Sequence, residues 1–401
     1  MILNYSWKTI SGWIRHSGKV ISQNMIEREM DNCGSKSAIL AVKEQRVDGS
    51  WLLKKTAEGK RSLRCTLMGF ERNYQVKVLT NQLSNKFYST ILNNQKLNPW
   101  FITGFSDAEG SFIISMYKNE KSKLKWRISA YFSIHVHEKD LPLLELIQKT
   151  LGVGIVRKNN ENTVLFRVSD INELQIIMNH FKNYSLVSAK YLDFLLFEQC
   201  LELIKEKAHL TEQGLLKIVS LKANLNKGLS KELLEVFPNI KAVDRLKYKF
   251  NGIPDPLWVS GFASGDSTFS VSIEKGTTKL GKRVRLIFGI CLHIREKDLL
   301  IGISKYFNSL YFKSNEVNKE TFIHCNEKTN IALLQIKSIS YVNKKIIPFF
   351  TKYPILGIKL LDFEDFKKVA ELVNNKEHLI IDGLNKIMEI VNDMNLDRKW
   401  K

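Results

Sequence analysis

Cysteine and proline are both scarce: five and seven residues in a chain of 401. The cysteines (Cys33, Cys65, Cys200, Cys291 and Cys325) lie far apart. They form no CxxC pair, no Cys/His zinc spacing and no secreted disulfide framework, so a reducing compartment fits best. No stretch is long and apolar enough to span a bilayer, and no amphipathic stretch is studded with Lys and Arg. Neither a membrane span nor a membrane-surface helix is therefore expected. The N-terminal stretch lacks a compact apolar core followed by a cleavage site, so no secretory signal is expected. Low proline, with abundant Lys, Asn and Ile, suits an AT-rich coding sequence. Acidic residues are also in deficit, with Asp+Glu 41 against Lys+Arg 61, a formal charge of +20. Hydrophobic residues at 44% and charged residues at 25% are ordinary globular values. An excess of positive charge spread along such a chain points to a polyanionic partner, nucleic acid first.

What is present is a repeat. "WFITGFSDAEGSF" (Trp100 to Phe112) is an apolar, helix-like run that ends on acids and passes into strand-like residues. "LWVSGFASGDSTF" (Leu257 to Phe269) does the same. Three further matches follow in order: "HVHEKDL" (His135 to Leu141) with "HIREKDL" (His293 to Leu299), "YSLVSAKYLDF" (Tyr184 to Phe194) with "YPILGIKLLDF" (Tyr353 to Phe363), and "KAHLTEQGLLKI" (Lys207 to Ile218) with "KEHLIIDGLNKI" (Lys376 to Ile387). The separation is too long for a solenoid and suits a duplicated domain, so the chain is expected to be a pseudo-dimer. The expected division is residues 98–250 and 251–401, preceded by a basic extension, 1–97. That extension carries sixteen Lys and Arg against seven Asp and Glu, about +9, and shows poor periodicity. It reads as a loosely packed extension or as a small accessory nucleic-acid-binding segment.

Period-2 alternation follows each apolar helix and predicts strands. In the first half Phe112, Ile114 and Met116 share one face, with Ser111, Ile113, Ser115 and Tyr117 on the other. The next strand turns Ile128, Ala130, Phe132, Ile134 and Val136 inward and Arg127, Ser129, Tyr131, Ser133 and His135 outward. In the second half Ser270, Ser272 and Glu274 face outward, and "KRVRLIFGICLHI" puts Arg283, Arg285, Ile287, Gly289 and Cys291 outward. Shorter hairpins are expected over "GIVRKNNENTVLFRV" and "LYFKSNEVNKETFIHC", the latter containing Lys313. Helices close each half. The fold class is α+β, two sheets each backed by helices.

Gly104 and Ala108, and likewise Gly261 and Gly265, are four apart, so small residues fall on one face of each helix and let two backbones approach. Helices paired through these faces would bring Glu109 and Asp266 side by side. Carboxylates there repel one another and oppose the helix dipoles, unless divalent cations bind them together with free helix-end carbonyls. Metals beside a basic sheet can clamp a scissile phosphate and activate water. Two-stranded ribbons fit the major groove, where outward side chains can read base edges. Arg283 and Arg285 are candidates for guanine or phosphate.

With "ITGFSDAEG" and "VSGFASGDS" in register, the chain from about Leu97 onward resembles the single-chain, two-motif LAGLIDADG homing endonucleases of the fungal mitochondrial intron-encoded type. The resemblance covers both repeats, including the "KxHL" helices and Asn226 to Gly228. The extension, with "KEQRVDGSW" and "LRCTLMGFERNYQVKV", resembles the upstream frame often fused to such proteins. The resemblance implies a tandem repeat of αββαββα domains with pseudo-twofold symmetry, two DNA-binding antiparallel sheets and a central two-helix interface. It implies a monomeric, site-specific endonuclease that breaks both strands of double-stranded DNA, dependent on Mg²⁺ or another hard divalent cation such as Mn²⁺, in mitochondria. The alternative is a maturase that binds its own intron RNA. Carried over by motif, Glu109 and Asp266 bind metal, with Ala108 and Gly265 as carbonyl ligands. Two departures stand out. Ser267 replaces a closing glycine, from which distortion is expected. A Gln that often precedes the histidine ending the second strand is replaced by Ile134 and Leu292.

Asp107, matched by Ser264, is expected to have a structural or surface role, and His209 and His378 to be structural. Lys190 and Lys359 match between the halves and are either basic groups near the scissile phosphates or solvated helix lysines. His135 and His293 are read as a matched pair at strand ends, serving either DNA contact or strand-to-loop packing. Glu274 would repel phosphate, so it reads a cytosine or lies off the footprint.

Overall fold

In a computed structural model of the chain, residues 96–244, 246–310 and 323–395 are described. The 1–97 extension, apart from its last two residues, lies outside them, as does Lys313.

Two helices begin alike. Asn98 caps α1 (Pro99–Glu109), its side chain accepting from Trp100 N–H, and Asp255 caps α7 (Pro256–Asp266) by accepting from Leu257 N–H. In both, proline follows the cap, where its missing N–H costs nothing and its fixed φ suits a helix. From α1 the first half runs through β1 (Gly110–Lys118), β2 (Trp126–His137), α2 (Leu141–Leu151), β3 (Ile155–Asn160), β4 (Thr163–Val168), α3 (Ile171–Asn183), α4 (Lys190–Lys205), α5 (Glu212–Lys222) and α6 (Lys231–Val236). From α7 the second half runs through β5 (Ser267–Lys275), β6 (Lys282–His293), α8 (Lys297–Ser309), β7 (Ile323–Asn326), β8 (Ile331–Ile336), α9 (Ile339–Tyr341), α10 (Ile347–Lys352), α11 (Lys359–Asn374) and α12 (Ile381–Asn392). Each half holds an antiparallel four-stranded sheet, ordered β1-β2-β4-β3 and β5-β6-β8-β7.

The cores repeat residue for residue. Phe112, Phe132, Phe181, Phe194 and Phe197 cluster in the first half. Phe269, Phe288, Phe350, Phe363 and Phe366 cluster in the second. Burying each ring contributes roughly 2–3 kcal/mol, so these clusters anchor each sheet to its helices. Asn226 and Asn395, both with positive φ, donate their N–H to Asp193 and Asp362 respectively and tie the segments after α5 and α12 back to α4 and α11.

The helix α1 packs along α7 through the small residues foreseen from sequence. A Cβ on Gly104 would lie 2.0 Å from Trp258 O, and one on Gly261 would lie 2.1 Å from Phe101 O. Backbone meets backbone, and no side chain fits between.

Strand pairing corrects two sequence expectations. Gly110 pairs with Ile134 and Ser267 with Ile290, so Phe132 corresponds to Phe288 and His137, not His135, to His293. His137 and His293 each end their strand and accept through Nδ1 from the N–H two residues on, Lys139 and Arg295. The shared letters "EKDL" were misleading because the two repeats are offset by two residues there. The residues before these histidines are Val136 and Leu292, so no Gln stands there in the corrected register either. The described hairpin of the second half pairs Ile323–Asn326 with Ile331–Ile336 around Glu327 to Asn330, so Ile323 to Cys325, expected to end a hairpin, begin one; residues 311–322 of the expected "LYFKSNEVNKETFIHC" hairpin lie outside the described residues. Buried Ala332, Leu334 and Ile336 supply the alternation that fixes this register. The second half also carries one extra residue before Tyr353, absorbed by a π turn at Val342–Ile346 between α9 and α10.

Candidate active site

The seam delivers both acids to one place. A Cβ on Gly265 would lie 2.3 Å from Ala108 Cβ and 3.1 Å from Glu109 Cγ, so Glu109 crosses onto the end of α7. Glu109 and Asp266 are half-buried, while Ala108 and Gly265 are buried. Each helix gives way at once to a strand, which aims the acid out from under the interface at the inner end of its sheet.

The two matched lysines are not solvated helix lysines. Lys190 Nζ donates to Ser106 O at 3.1 Å and Ala108 O at 3.4 Å. Lys359 Nζ donates to Gly265 O at 2.5 Å and is only 8% exposed. Both ammonium groups sit on the last carbonyls of a helix, where the dipole is negative and a carboxylate adds to it. The carbonyls that the sequence assigned to a metal are thus cation-seeking positions.

Ser267 does not distort the helix end. Gly110 (φ −77°) and Ser267 (φ −92°) are both extended, so neither position calls for a left-handed residue. Ser267 Oγ donates to Ala263 O at 2.6 Å and closes the last turn.

The corrected register places His135 opposite Cys291 in the repeat, each near its own acid. Burial lowers the His135 pKa, with Glu109 opposing the shift. Burial raises the Cys291 thiol to about 11, with Asp266 adding to it. Cys291, half-buried, is therefore held as a neutral thiol near Asp266. Ser133, Ile287 and Gly289 are buried, so the expected outward, accessible side chain does not hold for them. Ser133 and Gly289 lie where β2 and β6 are paired on both sides, and Ile287 lies one residue before that stretch, paired with Ser270 alone.

The other expected readers, Ser111, Ile113, Ser115, Tyr117, Arg127, Ser129, Tyr131, Ser270, Ser272, Arg283 and Arg285, are half-buried or exposed along β1, β2, β5 and β6. Two pairs hold their shape there. The Arg167 guanidinium lies 3.6 Å from the centre of the Tyr131 ring. Arg285 pairs with Glu274 at 3.0 Å, and Ser272 donates to the same carboxylate. Glu274 thus orients an arginine, a role that sequence parity did not suggest.

Asp107, expected in a structural or a surface role, is buried, and its partners were not foreseen. It is 4% exposed and accepts from Val187 N–H at 2.8 Å, Ser188 N–H at 3.1 Å, Ser188 Oγ at 2.6 Å and, across the seam, Trp258 Nε1 at 2.8 Å. Burial raises its pKa against these bonds. His209 and His378 sit in matching 3₁₀ turns, Ala208–Leu210 and Glu377–Leu379, with buried Nδ1 atoms.

Among the described residues no group of three or more His, Cys, Asp and Glu could hold a metal. The donor set here is instead two carboxylates with main-chain carbonyls. It is all oxygen, which suits hard divalent cations and not zinc.

The description "LAGLIDADG endonuclease" matches residues 102–201 and 259–370, one stretch in each half. The chain is 38% identical over 406 residues to a probable intron-encoded endonuclease 3 of Neurospora crassa, covering 95% of this chain and 73% of that protein. The crystal structure of the LAGLIDADG meganuclease I-CpaMI bound to uncleaved DNA superposes with a TM-score of 0.71 at 45% identity, over 75% of this chain and 99% of that one. I-SmaMI bound to an uncleaved DNA target in the presence of calcium ions is similar, with a TM-score of 0.70 at 39% identity over 75% and 99%. With two acid-tipped helices meeting under two sheets, and that likeness running through both repeats, the chain belongs to the LAGLIDADG endonuclease family.

Proposed function

We propose that this protein is a homing endonuclease: a monomeric, metal-dependent enzyme that hydrolyses one phosphodiester bond in each strand of a specific double-stranded DNA site. The observation that carries this reading is the meeting of Glu109 and Asp266 at one end of a glycine-lined seam, with a lysine beside each. Glu109 and Asp266, with Ala108 O and Gly265 O, are the residues that would hold Mg²⁺ or a similar ion such as Mn²⁺. Such an ion, when bound, lowers the pKa of a water and neutralises charge at the phosphate. Lys190 and Lys359 are the cationic side chains next to that position, and their role is to stabilise charge that develops on the phosphate oxygens. The readers lie on β1, β2, β5 and β6; Arg285, aligned by Glu274, and Arg283 suit guanine or phosphate. One acid and one lysine per half, related by a pseudo-twofold, fit one cut per strand. The intron-encoded relatives and the AT-rich coding bias support a mitochondrial setting, and 1–97 is retained in this reading as a basic leader ahead of repeats 98–250 and 251–401. An intron-RNA role has no separate observation in its favour and is set aside.

The test is a cleavage selection from a randomised duplex library with Mg²⁺ or with EDTA. A discrete Mg²⁺-dependent double-strand break is expected, lost about a thousandfold in Glu109→Gln and in Asp266→Asn while binding of the recovered duplex persists. If both variants also lose DNA binding, the acids hold the fold and the reading fails.

A further inference from the structure

Each lysine at the centre is the first residue of a helix, and the start of that helix is held by an acid from the other half. At α4, Ala189 N–H donates to Glu296 Oε2 at 3.1 Å, and Lys190 comes next. At α11, Ile358 N–H donates to Asp140 Oδ1 at 2.7 Å, and Lys359 comes next. Glu296 and Asp140 are equivalent: each closes the 3₁₀ turn that follows the second strand of its half, Ile294–Glu296 and Glu138–Asp140. The exchange is therefore reciprocal. Gly357, with φ +76°, leaves the room Asp140 needs, since a Cβ there would lie 2.5 Å from Asp140 Oδ1. The remaining N–H partners come from within each lysine's own half. Asp107 takes Val187 and Ser188, and Ser264 Oγ takes Leu356 N–H at 3.0 Å.

We propose that Asp140 and Glu296 are positioning residues that act across the interface, Asp140 on Lys359 and Glu296 on Lys190. Each fixes the backbone one residue before a lysine, and a displacement of about 1 Å in a reacting group can cost a hundredfold in rate. The arrangement couples the two cuts, because a half that undocks releases the lysine of its partner. This inference rests on the role given to the lysines above, but its first test does not need cleavage.

The full-length protein, free of DNA, is acetylated briefly with a water-soluble N-hydroxysuccinimide acetate, and labelling at each lysine is read by mass spectrometry. Glu296→Ala should raise the labelling rate of Lys190 about tenfold with Lys359 unchanged, and Asp140→Ala should do the reverse. Glu296→Gln and Asp140→Asn keep an acceptor oxygen and should restore most of the protection, which also covers an alanine variant that fails to fold. A general loss of structure would raise both lysines together. Equal effects on both lysines, an effect on the lysine of the same half, or none in any variant would overturn the proposal. On the selected duplex with both strands labelled, the alanine variants should accumulate nicks in opposite strands, about tenfold each. If Lys190→Met and Lys359→Met leave both strands cut at the wild-type rate while the labelling pattern holds, the positioning stands and the catalytic role of the lysines falls.

Discussion

In their backbone contacts along the seam between α1 and α7 the two halves use the same atoms; in the side-chain hydrogen bonds that leave those helices they do not. Gly104 rests on Trp258 O as Gly261 rests on Phe101 O. Trp258 and Phe101 are themselves equivalent, as are Asp107 and Ser264. Where the second half has an indole that can donate across the seam, the first has a buried carboxylate to receive it. In the opposite pairing Phe101 has nothing to donate, and Ser264 turns to its own half, donating to Ser260 O and accepting from Leu356 N–H. Backbone contact holds the halves to one geometry. Side chains are free to differ once that geometry is fixed, provided that every buried donor keeps an acceptor.

The largest effect is expected where the halves are identical. Gly104→Ala and Gly261→Ala each drive a methyl group into a carbonyl of the facing helix, with no flexible side chain to yield. Each should cost about 3–5 kcal/mol in urea unfolding, and the two should agree within error. A clear inequality between them would show that the seam is less symmetric than its atoms suggest.

Next come the residues that differ. Asp107→Asn turns an amide NH₂ toward donors and should cost about 3 kcal/mol, against about 1 kcal/mol for Ser264→Ala. Trp258→Phe removes one of four donors to Asp107. Combining Asp107→Ser with Trp258→Phe turns that pairing into a copy of the opposite one, Ser264 with Phe101, so the double variant should lose less than the sum of the singles by about 1 kcal/mol. Strict additivity in thermal or urea unfolding would mean that the cross-seam bond carries nothing.

How much of this was legible in the sequence follows the range of the interactions. The strands and their inward faces were readable because alternation is local, as in Ile128, Ala130, Phe132 and Ile134. The helix ends with Glu109 and Asp266, and the Gly-x-x-x-small faces, were readable because duplication doubled the signal. The pairing of His135 with His293 failed because letter identity outweighed strand register, which becomes visible only once β1 and β2 are paired. The tip at Glu327 to Asn330 carries no glycine or proline to mark a turn, so the strand pair around it was not foreseen. The acids at Asp140 and Glu296 could not be found by spacing. Their partners, Ile358 and Ala189, lie 218 and 107 residues away in the chain, and a backbone N–H has no residue-type signature. Had the repeats been aligned on His137 and His293, the match of Asp140 with Glu296 would have been a usable hint.

The smallest expected effect concerns a difference that a pH titration can isolate. His180 in α3 corresponds to Phe349 in α10, which is 3% exposed. Its Nε2 lies 3.1 Å from Thr103 Oγ1, which also donates to Tyr184 O. Burial lowers the His180 pKa to about 4, from an ordinary value of 6.5. The unfolded chain therefore binds this proton more readily than the folded one between those values. Stability from the neutral ring is fully present above pH 6.5 and is lost progressively as pH falls toward about 4. Asp107 and Glu296, whose pKa values burial raises, have the opposite sign: their protonation in the folded state favours folding as pH falls. The wild-type profile mixes both, so the informative quantity is the difference from His180→Phe, which installs the residue of the other half. That variant keeps the Thr103 bond to Tyr184 O and removes only the titrating ring. Its stability relative to wild type should be nearly constant above pH 6.5 and should rise steadily below it, as the first half comes to behave like the second. A difference that stays flat down to pH 4 would mean that water reaches the ring and that burial does not hold it neutral.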